Sequence, residues 1–154
     1  MIMVGVKLLA LSLKLPFTNH GTMVLYNVLV LIFVVMIPFT DQELHNLAMN
    51  IVGKEMEEEG FEFLAINSKP KKDPQYVALK NKYLHFVIVR AVRYPDNPVH
   101  YDEKLLNQMR DHAIKYKART YYAGVGLANA ADYEMPIHHD QDYVVNFAGL
   151  IEIK

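Results

Sequence analysis

From about Thr40 onward the sequence predicts an α/β fold, a mixed sheet held between two helical layers. Amphipathic helical periods and short apolar runs rich in aromatic and β-branched residues follow one another in the order helix, three strands, helix, strand. A helix that links neighbouring strands makes a right-handed crossover, which sets those strands parallel and puts helices on both faces. A chain of 154 residues with no internal repeat or low-complexity tract suits one such core. The expected architecture is therefore a three-layer α/β/α core followed by a small β appendage.

The first helix is announced by Thr40-Asp41-Gln42-Glu43, a capping box in which the threonine hydroxyl and the glutamate carboxylate each take an otherwise unpaired backbone N–H. Leu44, Leu47, Ala48, Ile51, Val52 and Met56 recur at three-and-four spacing behind it, and Gly60 supplies a left-handed stop. Phe61 to Asn67 then reads as a strand, Ser68 to Pro74 carries turn signals, and Gln75 to Leu79 with Leu84 to Val92 read as two strands around Lys80-Asn81-Lys82. Prolines in Tyr94-Pro95-Asp96-Asn97-Pro98 end the strand pattern. Asp102 caps a second helix with Leu105, Leu106, Met109, Ala113 and Tyr116 on one face, and Arg119 to Leu127 is the next strand. Asp142 to Phe147 and Leu150 to Ile153 read as a C-terminal β-hairpin about Ala148-Gly149.

Charge and cysteine content narrow the chemistry. Sixteen basic residues stand against seventeen acidic ones, yet residues 1–40 hold only Lys7 and Lys14 and no acid. The rest is mildly anionic and has no global attraction for a polyanion, so nucleic-acid binding would need a local patch. With no cysteine, disulfides, thiolate nucleophiles, sulfur-ligated zinc and Cys-held iron–sulfur clusters are all excluded.

Residues 1–39 form a separate apolar segment, with Ile2 to Phe17 and Met23 to Phe39 divided by Thr18-Asn19-His20-Gly21-Thr22. Three readings stand. The segment is an overlong start preceding a natural initiator at Met36, which makes residues 40–154 a cytoplasmic domain. Alternatively Met23 to Phe39 is a single-pass membrane anchor, at the lower edge of the ~17–25 residues a bilayer requires, with Lys7 and Lys14 favouring a cytoplasmic N-terminus. In the third reading the segment is a buried N-terminal element.

The element order, with Pro74-Gln75-Tyr76-Val77-Ala78 and Leu84-His85-Phe86-Val87-Ile88-Val89-Arg90-Ala91-Val92, resembles the PD-(D/E)XK (restriction-endonuclease-like) nuclease superfamily over about Leu44 to Leu127. In that family a Pro-Asp pair opens the second strand, and Glu-x-Lys on the third completes a Mg²⁺ site. Hard Mg²⁺ takes oxygen ligands, and the lysine orients or activates the attacking water. Placed residue by residue, the aspartate falls on Gln75, the glutamate on Ile88 and the lysine on Arg90. Ile88 and Arg90 share one strand face, which fits the register while removing the carboxylates. Asp73 stands in for one ligand only after a register shift.

Over nearly all of Thr40 to Lys154 the chain also resembles small bacterial proteins that carry the name of the flavoprotein component of the Na(+)-translocating NADH:quinone reductase. That resemblance implies a redox, membrane-associated accessory role. The flavoprotein of that name holds a [2Fe–2S] cluster on four cysteines, which are missing here, and Arg119-Thr120-Tyr121-Tyr122 lacks the serine of the Arg-x-Tyr-Ser flavin motif.

Each remaining pattern has a functional and a structural reading. Lys69, Lys71, Lys72, Lys80, Lys82, Arg90 and Arg93 fall within 25 residues opposed only by Asp73. They make either an anion-binding patch, centred on Lys71, Lys72, Arg90 and Arg93, or solvated turns and strand ends. Tyr76, Tyr83 and Tyr94 either stack on bases or are half-buried sheet residues. His138, His139 and Asp140 are weak metal candidates, since adjacent residues on an extended chain point apart. Gly124-Val125-Gly126 lacks the third glycine of a dinucleotide loop and reads as strand-end flexibility, while Met56 and Met109 read as core filler. The expectation is a catalytically inactive nuclease-like domain without cofactor, serving as a binding or structural module that meets itself or another protein. The alternatives are the reductase accessory role and a nucleic-acid-binding protein, with a membrane partner only if residues 1–39 are genuine.

Overall fold

The computed structural model describes residues 20–35 and 37–154, and its first element is helix α1, His20–Val35. The described residues up to Pro38 form one unit with His138–Asp140. Within it Pro38 bridges His138, and the His139 N–H donates to the Ile37 carbonyl at 3.3 Å. The sixteen residues of α1 span about 24 Å at the helical rise, short of the ~30 Å of a bilayer's hydrocarbon. No helix among the described residues is long and apolar enough to cross a membrane. The anchor expected over Met23 to Phe39 is thus not formed as one span: α1 ends at Val35, and Phe39 packs against the core of the second unit. Ile2 to Phe17, with Lys7 and Lys14, and the start expected at Met36 lie outside the described residues.

The second unit runs from Phe39 to Ile137 and from Gln141 to Lys154. Helix α2, Asp41–Glu58, opens on the expected capping box: the Glu43 N–H donates to the Thr40 hydroxyl at 3.2 Å, and the Thr40 N–H donates to the Glu43 carboxylate at 2.8 Å. It closes on Gly60 at φ +84°, where the Gly60 N–H donates to the Glu57 carbonyl and the Phe61 N–H to that of Met56. This double closure satisfies two terminal carbonyls and brings Phe61 against Met56 in the core.

Strands β1 (Glu62–Ile66), β2 (Tyr76–Lys80) and β3 (Tyr83–Arg93) form an antiparallel meander. Helix α3, Glu103–Ile114, capped by Asp102, then carries the chain across to β4 (Ala118–Asn129), parallel to β3 from Leu84↔Ala118 to Arg93↔Leu127. Strands β5 (Tyr143–Phe147) and β6 (Ile151–Ile153) complete a six-stranded mixed sheet. The two-residue period of β3 sorts its side chains between layers. Val87 and Val89 pack with Ala48, Val52 and Met56 of α2, whereas Ile88 meets Leu106 of α3 and Phe86 meets Ala113. The three-layer α/β/α arrangement expected from the sequence is therefore present.

Three local expectations are corrected. The closing strands are present but do not form a hairpin: β5 pairs with Val125–Asn129 and β6 with Thr120–Tyr122, both antiparallel, so they follow one another along the same edge of β4. Gly149, at φ +85°, breaks that edge at the position expected to make the hairpin turn. Tyr116 lies beyond the end of α3 and packs from outside on Phe86 and His112. Gly124 and Gly126 are not strand-end flexibility, because they sit inside β4 where the Tyr94–Pro98 loop crosses. A Cβ at Gly124 would lie 1.8 Å from the Pro98 carbonyl oxygen.

Candidate functional site

A cleft of about 840 Å³ opens between the first turns of α2 and α3 at the C-terminal end of β3. Ile88, Leu106 and Tyr122 give it an apolar floor, and Lys71, Arg90 and Arg93 bring three cations to its wall. The parallel crossover helps to create this opening, since α3 leaves β3 at this end and α2 also begins there.

At its wall Arg90 binds Asp73 in a fork, Nη1 to Oδ1 at 2.8 Å and Nη2 to Oδ2 at 2.7 Å. Gln75, fully buried, ties this pair to the sheet. Its amide nitrogen donates to Asp73 Oδ1 at 2.9 Å and to the Lys72 carbonyl at 3.1 Å, and its amide oxygen accepts the Val89 N–H at 2.8 Å. The Gln75 side chain thus takes a β3 ladder donor that backbone would otherwise have to satisfy. Burial alone would raise the Asp73 carboxyl, but hydrogen bonds from Arg90 and Gln75, with the Arg90 charge, hold it below its usual value.

His45, on α2 and also part of the cleft wall, is buried, and its Nε2 has no hydrogen-bond partner. Burial, and then the Arg90 charge, lower its pKa against the opposing pull of Asp73, which favours a neutral imidazole. At the rim Arg93 donates to Asp41 at 2.6 Å with both side chains exposed, a pairing of little energetic consequence in water. Burial also raises the Tyr122 phenol, whose hydroxyl donates to the His100 carbonyl at 3.3 Å.

All the residues lining this cleft except Asp41 lie within a longer stretch that matches a known family model. Residues 42–153 match a family described as a domain of unknown function (DUF8840). The chain belongs to the DUF8840 family. The matched span begins one residue inside α2 and ends on the last residue of β6, so the DUF8840 domain takes in the whole sheet and, apart from Asp41, the cleft. No curated protein and no solved structure matches the chain.

Within the DUF8840 domain, Gln75 and Arg90 meet through Asp73, and Ile88 lies fully buried on the cleft floor. Of the four anion-binding candidates, Lys71, Arg90 and Arg93 line the cleft, while Lys72 contributes its carbonyl to Gln75 and Asn67. Lys80 is drawn away, to Glu59 at 2.9 Å and over the Phe61 ring. Tyr76 is buried and donates its hydroxyl to the Met49 carbonyl at 2.7 Å, which excludes base stacking there. Tyr83 and Tyr94 are exposed, the first beneath Arg119 and the second edge-on to Tyr133. His138, His139 and Asp140 sit with the N-terminal unit, and no group of three or more acidic, histidine or cysteine side chains among the described residues is placed to hold a metal.

Sequence reasoning passes over His45, which falls on the buried stripe of α2 with Met49, Val52 and Met56. The available signal is its four-residue spacing from Met49. Asp73 enters that reasoning as a shifted ligand and as the one acid among the clustered bases, but not as the partner of Arg90, which lies seventeen residues away in sequence.

Proposed function

We propose that this domain is a catalytically inactive, nuclease-like binding module, working through the cleft at the end of β3 and associating with itself or another protein. The observation that carries the reading is the Arg90–Asp73 fork. A two-carboxylate Mg²⁺ site needs oxygen ligands free to approach a hard cation, and Asp73, the carboxylate that the resemblance offers as a shifted ligand, is already held by a guanidinium and an amide, while Asp41, Asp96 and Asp102 of the cleft stand at none of the expected ligand positions. Its second expected ligand position is Ile88, an apolar side chain on the cleft floor. The residues at the expected ligand positions do not fit a magnesium ion. The meander β1–β3 with the parallel return to β4 supports a nuclease-like scaffold, because it puts Gln75, Ile88 and Arg90 at one end of the sheet as the resemblance implies.

The test has two arms. Incubation of the full chain with supercoiled DNA, single-stranded DNA and RNA in Mg²⁺ or Mn²⁺ should leave every substrate intact; cleavage that disappears in Asp73→Asn would overturn the reading. Sedimentation across a concentration series should then reveal an association that Lys71→Glu and Tyr101→Ala, both at the cleft, weaken.

A further inference from the structure

A second pocket of about 620 Å³ lies by the C-terminal end of α2, apart from the cleft and built from different residues. Glu55 and Glu59 line it together with Lys80 and Arg119, and three features single out its Glu55 side. The last turns of α2 carry Glu55, Glu57 and Glu58, with no basic residue in the last turn to offset the negative pole of the helix dipole. Glu55 lines the pocket and has no ion-pair partner among the described residues. Burial, then Glu59 and Glu58, push its carboxyl above the usual range, the condition a nearby cation relieves.

The second feature is His85, buried between the Phe61 and Tyr121 rings in the same wall. Its Nε2 lies 3.4 Å from the Lys80 carbonyl, which can only accept, so the proton of the neutral ring sits on that nitrogen. Nδ1 is then a lone pair, enclosed and without a donor. The third feature is aromatic. The Lys80 ammonium stands 4.4 Å from the Phe61 centroid and the Arg119 guanidinium 4.8 Å from that of Tyr83, so two rings of the wall already hold cations of the chain itself. Lys80 is neutralised by Glu59 and Arg119 lies over Tyr83, whereas Glu55 has no ion pair among the described residues.

We propose that this pocket binds an organic cation of the alkylammonium class, its head against the Glu55 carboxylate and its methylene stem along Tyr121 and Leu150. A free alkylamine and the lysine side chain of a peptide present the same head. Butylammonium chloride is the probe, titrated into the full chain at constant ionic strength and followed by NMR. A ligand with so few heavy atoms reaches about millimolar affinity. Saturable shifts are expected at His85 and Tyr121, with no response to butanol. The His85 imidazole should also titrate at lower pH with probe present, because a neighbouring cation disfavours its protonated form. Glu55→Gln, at a partly exposed site that leaves the fold intact, should weaken binding by about tenfold, and Glu57→Gln, outside the pocket, should not. A lysine tripeptide amide that binds more tightly than butylammonium assigns the site to a polypeptide, and weaker binding assigns it to a free amine. Equal binding by wild type and Glu55→Gln, an equal response to butanol, or no saturable shift would overturn the proposal.

Discussion

Arg90 and Asp73, seventeen residues apart in sequence, share two parallel hydrogen bonds of 2.8 and 2.7 Å, with the aspartate side chain only 7% exposed. A fork of this kind is strong in place and damaging when halved. Arg90→Leu leaves a buried carboxylate uncompensated and should cost about 3–5 kcal/mol in urea unfolding. The double variant Asp73→Asn/Arg90→Leu should recover part of that loss, since the stranded charge is gone. Strictly additive losses would show that the two groups do not act as a pair.

Acid should destabilise the domain in two stages. His45 and His85 both have pKa values pulled below the ordinary 6.5, chiefly by burial. The unfolded chain therefore binds protons that the folded chain refuses, and stability falls as pH drops below about 6.5. Asp73, whose folded pKa is depressed, contributes stability above its unfolded value and loses it at lower pH as the carboxylate is protonated. Chemical unfolding followed from neutral to acid pH should show the first decline, and His45→Gln should flatten part of it. A stability flat between pH 7 and 5 would contradict this assignment.

Gly53 lies in mid-helix, where alanine ordinarily gains about 1 kcal/mol. Here a Cβ would stand 2.7 Å from the Tyr76 hydroxyl, which is held in place by the Met49 carbonyl. Gly53→Ala should therefore destabilise by roughly 1–3 kcal/mol. Removing the offending oxygen with Tyr76→Phe should make the same change much milder. Thermal melts of the four proteins in this cycle decide the matter.

Gly124→Ala should be more harmful than Gly126→Ala. The first new methyl would collide with Pro98 backbone at 1.8 Å, the second would meet Asn146 and Pro98 at 3.1 Å, where small shifts suffice. Displacing the Tyr94–Pro98 loop also moves Asp96 and Asn97 at the cleft. The expected cost for Gly124→Ala is about 1–3 kcal/mol, measured by denaturant midpoint beside Gly126→Ala.

Local rules make much of this fold readable. The Thr40 capping box, the Gly60 stop, the Asp102 cap and the shared face of Ile88 and Arg90 all depend on neighbours within a few residues. The helical stripe of α2, read through its aliphatic residues, misses a rotation toward His45 and Met49, made possible where Gly53 admits the Tyr76 ring. What cannot be read is non-local. Nothing near Asp73 announces Arg90, nothing in Gly124 announces the loop that crosses it, and the alternation in β5 and β6 does not say that both pair with β4.

That last arrangement has a consequence for how the chain is made. β4 is satisfied on one side by β3 and on the other only by residues 143–153. During synthesis a long, largely apolar strand therefore waits with one flank of N–H and C=O groups open until residues 143–153 leave the ribosome. Such a flank is a template for pairing with another nascent chain. In crowded translation the closing residues act as a lid on self-recognition, and their late arrival sets the interval in which the domain is most prone to join its neighbours.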